Sequence, residues 1–248
     1  MLEIRELTVD VAGRRVLNDV NMIIQEGEAH VLLGPNGSGK TTLLLSILGF
    51  PRYEVKEGEI IFKGEDITDL HTSERVKRGI GISFQNPPVI KGVNLGSMVN
   101  ICMGEKTDEI TEKTLELAGK MNLSEEFLKR DVNFGFSGGE VKRSEILQLI
   151  AQHSDFAMLD EPDSGVDIEN MELIGKMIGE LLQRDYLPSK RKRMGLIITH
   201  LATILDYIHA DRAHVMLNGR IVCSGVPEEL LSGIKKNGYE GCMRLCQK

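Results

Sequence analysis

Long apolar runs, an excess of basic charge, internal repeats and low-complexity stretches are all missing from this 248-residue chain. No apolar run approaches the roughly 20 residues a helix needs to cross a bilayer, so direct membrane insertion is not expected. The chain opens on the alternating Met1-Leu2-Glu3-Ile4-Arg5 rather than on a leader with a basic start and an apolar middle. It is therefore expected in the cytoplasm, free or held by a partner. The formal net charge of −7 argues against a broad nucleic-acid footprint, which needs a basic face. The one dense basic run, Lys190-Arg191-Lys192-Arg193, reads as a solvated loop. Cysteine is sparse: Cys102, Cys223, Cys242 and Cys246. No Cys/His pair stands elsewhere to complete a metal site with Cys242 and Cys246, and free thiols are expected rather than disulfides. What remains is a chain of ordinary apolar content, 41%, long enough for one domain with a sizeable insertion.

Gly34-Pro35-Asn36-Gly37-Ser38-Gly39-Lys40-Thr41 satisfies the spacing G-x-x-x-x-G-K-[ST] at every position. Apolar Val31-Leu32-Leu33 precedes it as a strand, and residues 42–48 follow as a helix, which is the context this motif requires. The glycines let successive N–H groups turn inward around a phosphate, and the helix N-terminus adds positive potential. Lys40 reaches the outer phosphates, and the Thr41 hydroxyl can ligate Mg²⁺. Thr42, at the start of the helix, completes the phosphate-binding set. The chain is expected to bind a nucleoside triphosphate.

Strands are expected at residues 2–9, 17–24, 30–33, 60–62, 80–84, 156–159 and 196–199, with a hairpin over 214–224 turning at Asn218-Gly219. Ser73 can cap a short helix, and residues 168–182 and the tail from Pro227 read as helical. From about 86 to 153 apolar residues recur at helical spacing, with no convincing strand. The expected organisation is an α/β core over 1–85 and 154–248 with a helical subdomain over 86–153. Buried strands alternating with helices imply a mostly parallel sheet covered on both faces.

Four features narrow the chemistry. The strand Phe156-Ala157-Met158-Leu159 ends in Asp160 and Glu161. Asp160 can hold Mg²⁺ and Glu161 can polarise an attacking water. Ser137, Gly138 and Gly139 open a second helix whose backbone amides can meet a phosphate, most economically one held by another subunit. Gln85 leaves the strand at 80–84 and can contact Mg²⁺ or the attacking water. His200 leaves the strand at 196–199, where a parallel sheet places its ligands, and can reach the γ-phosphate.

In this order and spacing the motifs resemble the ATP-binding-cassette (ABC) ATPases over nearly the whole chain. The resemblance implies the ABC ATPase fold: a P-loop parallel-sheet core, an antiparallel β part and an inserted α-helical subdomain. It also implies Mg²⁺-dependent ATP hydrolysis in a transient ATP-dependent head-to-tail homodimer, with Ser137, Gly138 and Gly139 acting in trans on the ATP of the other copy. Asp163-Ser164-Gly165-Val166-Asp167 looks like the family's D-loop, which puts Asp167 at the dimer seam. Within the family, Asp131-Val132-Asn133-Phe134-Gly135-Phe136, Lys142-Arg143-Ser144-Glu145 and Ile204-Leu205-Asp206-Tyr207-Ile208 resemble the SufC ATPases of the SUF iron–sulfur assembly system. That implies a soluble SufB/SufD-like scaffold partner; the alternative is the nucleotide-binding subunit of a membrane transporter. Val11 is expected where many cassettes stack an aromatic ring on adenine, which implies modest ATP affinity and weak base discrimination. Asn86-Pro87-Pro88 is stiff and extended and departs from the SufC pattern near the expected partner groove.

Overall fold

The computed structural model describes residues 1–199 and 203–246, by backbone alone at 168–169, 203, 240 and 242–246. Strand β1 (Leu2–Val11) turns at Ala12-Gly13 into β2 (Arg14–Ile24). Both turn residues have positive φ, 50° and 75°, the sense that matches strand twist in a tight hairpin. Then come β3 (Ala29–Leu33), α1 (Lys40–Leu48), β4 (Tyr53–Phe62), β5 (Glu65–Asp66), α2 (Thr72–Lys77) and β6 (Ile80–Ser83). The inserted part holds β7 (Ile90–Asn94), α3 (Leu95–Cys102), α4 (Glu112–Lys120), α5 (Glu125–Leu128), β8 (Asp131–Val132) and α6 (Gly138–Ala151). The chain continues through β9 (Phe156–Asp160), α7 (Ile168–Leu181), β10 (Met194–Ile198), β11 (Arg212–Leu217), β12 (Arg220–Gly225) and α8 (Pro227–Cys246), the last kinked at Gly238.

The central sheet runs β12-β11-β3-β10-β9-β6 and is parallel except at its β12 edge. A separate antiparallel sheet, β2-β1-β4-β5, lies against it. Alternation along the central strands divides the core in two. Leu32, Met158, Leu196 and Ile198 pack with Leu43, Leu44 and Ile47 of α1 and with the antiparallel sheet. Their neighbours Val31, Leu33, Ala157, Leu159 and Ile197 pack with α3, α6 and α7. A strand buried on both faces is mostly apolar, which is why β10 and the Val31-Leu32-Leu33 part of β3 read as continuous runs, with His30 the polar exception in β3. Among the described residues no helix is long and apolar enough to cross a membrane.

Three expectations are corrected. The segment 86–153 does contain strands: β7 and β8 pair antiparallel, joining Ile90 to Val132 and Asn94 to Asp131 across an irregular register. Two residues of β8 and a positive φ of 81° at Gly92 leave too little alternation to read from sequence. The cap of α2 is His71 rather than Ser73, with the Glu74 carboxylate accepting from the His71 N–H at 3.2 Å. Cys223 is disulfide-bonded rather than a free thiol. Cys102 is a free thiol whose pKa burial pushes up to about 11.

A polar chain crosses one end of the central sheet. Glu28 Oε2 lies 3.0 Å from His30 Nε2, His30 Nδ1 lies 3.0 Å from His214 Nε2, and His214 Nδ1 lies 2.7 Å from Ser224 Oγ. Both imidazoles are buried. Burial holds both pKa values below the ordinary range, that of His214 at about 3, where His30 and Arg212 add to the effect. The unfolded chain therefore takes up these protons first. The neutral pair's full contribution is present above about pH 6.5 and is lost as pH falls from there towards 3. Denaturant titrations between pH 7.5 and 4.5 should show stability falling by up to about 1.4 kcal/mol per pH unit for His214. His214→Gln should flatten that slope.

Candidate functional site

The parallel register brings the ends of β3, β10, β9 and β6 to one edge, and the candidate residues sit on the loops that leave it. Gly34–Gly39 follow β3, Asp160 ends β9, and Phe84 and Gln85 follow β6. Gly39, which precedes α1, has φ 109°, and a Cβ there would stand 2.8 Å from Leu17 Cδ2. Neither the backbone nor the space admits a side chain at that point.

Lys40 is buried, and its ammonium donates to the carbonyls of Gly34 at 2.8 Å and Pro35 at 3.0 Å. Burial lowers its pKa, opposed by the carboxylates of Glu161 and Asp160. Thr41 Oγ1 donates to Asp160 Oδ2 at 3.0 Å. The other oxygen of that carboxylate, Oδ1, is buried without a hydrogen-bond partner, and burial raises the pKa of the group, partly offset by the Thr41 bond. Ser38 Oγ is likewise buried and unpaired. Buried polar atoms are normally satisfied, so an orphaned carboxylate oxygen beside a threonine hydroxyl fits a hard divalent cation that prefers oxygen ligands. Gln85 Nε2 donates to Glu161 Oε2 at 2.6 Å. Glu161 adopts φ +50°, uncommon for a residue other than glycine, and its N–H is held by the carbonyl of Ile198 at 3.0 Å.

A cleft of about 380 Å³ collects these groups: Asn36, Gly37 and residues 39–42, with Val16, Gln85 and Glu161. Val16, at the start of β2, is the apolar side chain beside the loop. Val11, expected there, packs instead against the core under the antiparallel sheet. The hairpin turn at Ala12-Gly13 accounts for the difference, because it carries the chain past Val11 before returning it towards the P-loop.

Ser137, Gly138 and Gly139 do not line the cleft. Ser137 caps α6: its hydroxyl accepts from the Glu140 N–H at 3.4 Å, and Glu140 accepts from the Ser137 N–H at 2.8 Å. Ser137 and Gly138 are exposed. A Cβ on Gly138 would stand 2.5 Å from the Gly165 carbonyl, so this helix start packs backbone to backbone on the 163–167 loop. Asp167 caps α7 by accepting from the Asn170 N–H at 2.8 Å, and Thr199 donates to buried Asp163 at 2.6 Å. His200 lies outside the described residues.

Three charged residues near this site gave no signal as functional residues in sequence. The Arg130 guanidinium stacks over Phe127 and Phe136, 5.1 and 4.7 Å from the ring centroids, and donates to the Gly135 carbonyl at 2.6 Å. It thus braces the segment leading into Ser137, with cation–π contacts typically worth about 0.5–2 kcal/mol. Lys142 and Glu145 of α6 are buried against the end of β6. Their one sequence signal is charge at i and i+3 on a helix face that is otherwise covered.

Asp160→Asn removes charge from the pocket that fits the cation while keeping its shape. The nucleotide-free protein should melt at the same temperature or slightly higher, since a buried carboxylate is gone. The extra thermal shift given by Mg²⁺ over EDTA, with ATP present, should mostly disappear. Ligand at about a hundredfold its Kd adds about 2.7 kcal/mol, so differential scanning fluorimetry resolves the loss.

The family model described as ABC transporter matches residues 17–164. A probable ABC transporter ATP-binding protein of Streptococcus pyogenes serotype M18 is 39% identical, over 97% of this chain and 94% of its own length. A probable ATP-dependent transporter, ycf16, of Pyropia yezoensis is 39% identical over 97% and 96%. Among solved structures, the ATP-binding cassette MJ0796, a dimer in a post-hydrolysis state bound to ADP and phosphate, superposes with a TM-score of 0.74. It is 23% identical and covers 91% of this chain and 98% of its own. With the P-loop, the strand-end carboxylates and the capped Ser-Gly-Gly helix in one α/β fold, the chain belongs to the ABC transporter family of ATP-hydrolysing cassettes.

Proposed function

We propose that two copies of this chain close head to tail over two ATP molecules, and that the closure drives a soluble iron–sulfur cluster scaffold in the cytoplasm. The observation that carries the dimer is the one-sidedness of the cleft. Lys40, Thr41, Gln85 and Glu161 face it, whereas Ser137 and Gly138 are exposed elsewhere, packed on the 163–167 loop. A capped helix start whose amides suit an anion, set apart from the cleft of its own chain, is suited to the site of a second chain.

In this mechanism Lys40 leaves the Gly34 and Pro35 carbonyls to hold the outer phosphates. Thr41, Asp160 and Gln85 would hold Mg²⁺, which supplies charge neutralisation on the phosphate oxygens. Glu161, released from the Gln85 amide, orients water at the γ-phosphate, and His200 would hold that phosphate. Ser137, Gly138 and Gly139 of the second copy close the site, with Asp167 at the seam.

The scaffold reading rests on the stretches around α6 that resemble SUF ATPases. An apolar hollow beside Gln85 offers the docking place. Its volume is about 200 Å³, with Phe84, Pro87, Pro88, Ile90 and Cys102 in its lining, and Val89, Ile101 and Phe134 lie exposed on the same inserted part. A SufB/SufD-like protein seated there would move with Gln85. The second reading, a transporter motor, is favoured by the names of the Streptococcus and Pyropia relatives.

Glu161→Gln should retain ATP, lose turnover by about 10²-fold or more, and elute as a dimer with ATP and Mg²⁺. A monomer with ATP demonstrably bound would sink the head-to-tail model. Native purification followed by mass spectrometry and an iron and sulfide assay separates the partners. A soluble, cluster-accepting protein supports the scaffold reading, and a polytopic membrane protein supports the transporter.

A further inference from the structure

The end of β6 is held by charges from a different element. Glu145 Oε1 accepts from the Phe84 N–H at 3.1 Å and Glu145 Oε2 accepts from Ser83 Oγ at 2.8 Å. One turn earlier on α6, Lys142 Nζ donates to the carbonyls of Phe84 at 2.8 Å and Gln85 at 2.9 Å. Phe84 is thus gripped at both its N–H and its C=O. Glu145 is 7% exposed and Lys142 3%. Burying two charged groups is costly unless they are paired and hydrogen-bonded, yet here their hydrogen bonds go to three consecutive residues of one strand end. The third of those residues, Gln85, carries the amide that holds Glu161.

We propose that Glu145, opposed by Lys142, is a positioning residue for ATP hydrolysis: it sets the Phe84-Gln85 backbone and through it the reach of the Gln85 amide to Glu161. It does not line the nucleotide cleft. Because the same helix begins at Ser137, any rotation of α6 on meeting the second copy is transmitted to Gln85 through a rigid pair of side chains rather than through a loop. Burial raises the Glu145 pKa to about 7, with Asp160 adding to the rise and Lys142, Ser83 and the Phe84 amide opposing it, in keeping with a group held for its hydrogen bonds. The proposal rests on the role given to Gln85 above.

The test is a double-mutant cycle on the full chain, with kcat, KM for ATP and melting temperature measured for Glu145→Gln, Gln85→Ala and the pair. Glu145→Gln keeps the shape and one acceptor oxygen, so the fold should survive. Expected are a roughly tenfold fall in kcat, the scale on which small misplacements act, a KM within about twofold, and a double variant no slower than Gln85→Ala alone. Multiplicative losses in the double variant, or a lowered melting temperature with unchanged kcat, would overturn the assignment and leave Gln85 its role. An unchanged kcat in Gln85→Ala would overturn the role of Gln85 itself, and this proposal with it.

Discussion

The parallel register of β3, β10, β9 and β6 is the constraint on which the site depends. Pairing Leu32 with Ile198, Ile198 with Asp160 and Leu159 with Ser83 aligns four strand ends to within a residue. Everything chemical then hangs from that edge: the P-loop, Gln85, and the Asp160-Glu161 corner. The register in turn depends on burial from both faces, because a strand slipped by one residue would exchange the side chains of two different cores. The placement of Thr41 Oγ1 3.0 Å from Asp160 Oδ2 is thus a product of apolar packing in both layers of the core.

Helix α6 joins the two kinds of surface the family uses. Ser137 and Gly138 at its start are exposed and held by a capping box, while its middle buries Lys142 and Glu145, and Arg130 steadies the approach to it through two aromatic faces. Phe136 has a structural reason here that a leucine would not satisfy: it stacks on Phe127 at a centroid distance of 4.2 Å and receives the guanidinium. Loops would transmit motion weakly over this distance. Under the positioning role proposed above, a helix clamped at one strand end and seated at its start on the 163–167 loop acts as a lever.

The parts legible in sequence were those where one short segment carries the whole signal. The P-loop, the Ser137 cap, the Asn218-Gly219 turn and the apolar runs of the central sheet each follow from residues within a few positions of one another. Illegible were the pairings of distant segments. Glu145 and Ser83, 62 positions apart, read separately as an ordinary helix charge and an ordinary strand end. The β7–β8 pair is too short to show a period. Val16 displaced Val11 because a two-residue turn decides which side of a hairpin faces the cleft. The His30–His214 contact gave no warning, since lone histidines in apolar strands carry no periodic pattern.

Lys40 gives the cleft a property of its own. Its ammonium already has two carbonyl acceptors, both in the loop that precedes it. Nucleotide entry is therefore an exchange of hydrogen bonds rather than a gain of them, and the measured affinity is the small difference between two strong interactions. The same two bonds tie the glycine-rich loop to the helix that follows it, and in the mechanism proposed above they are the partners to which the lysine returns once phosphate has left.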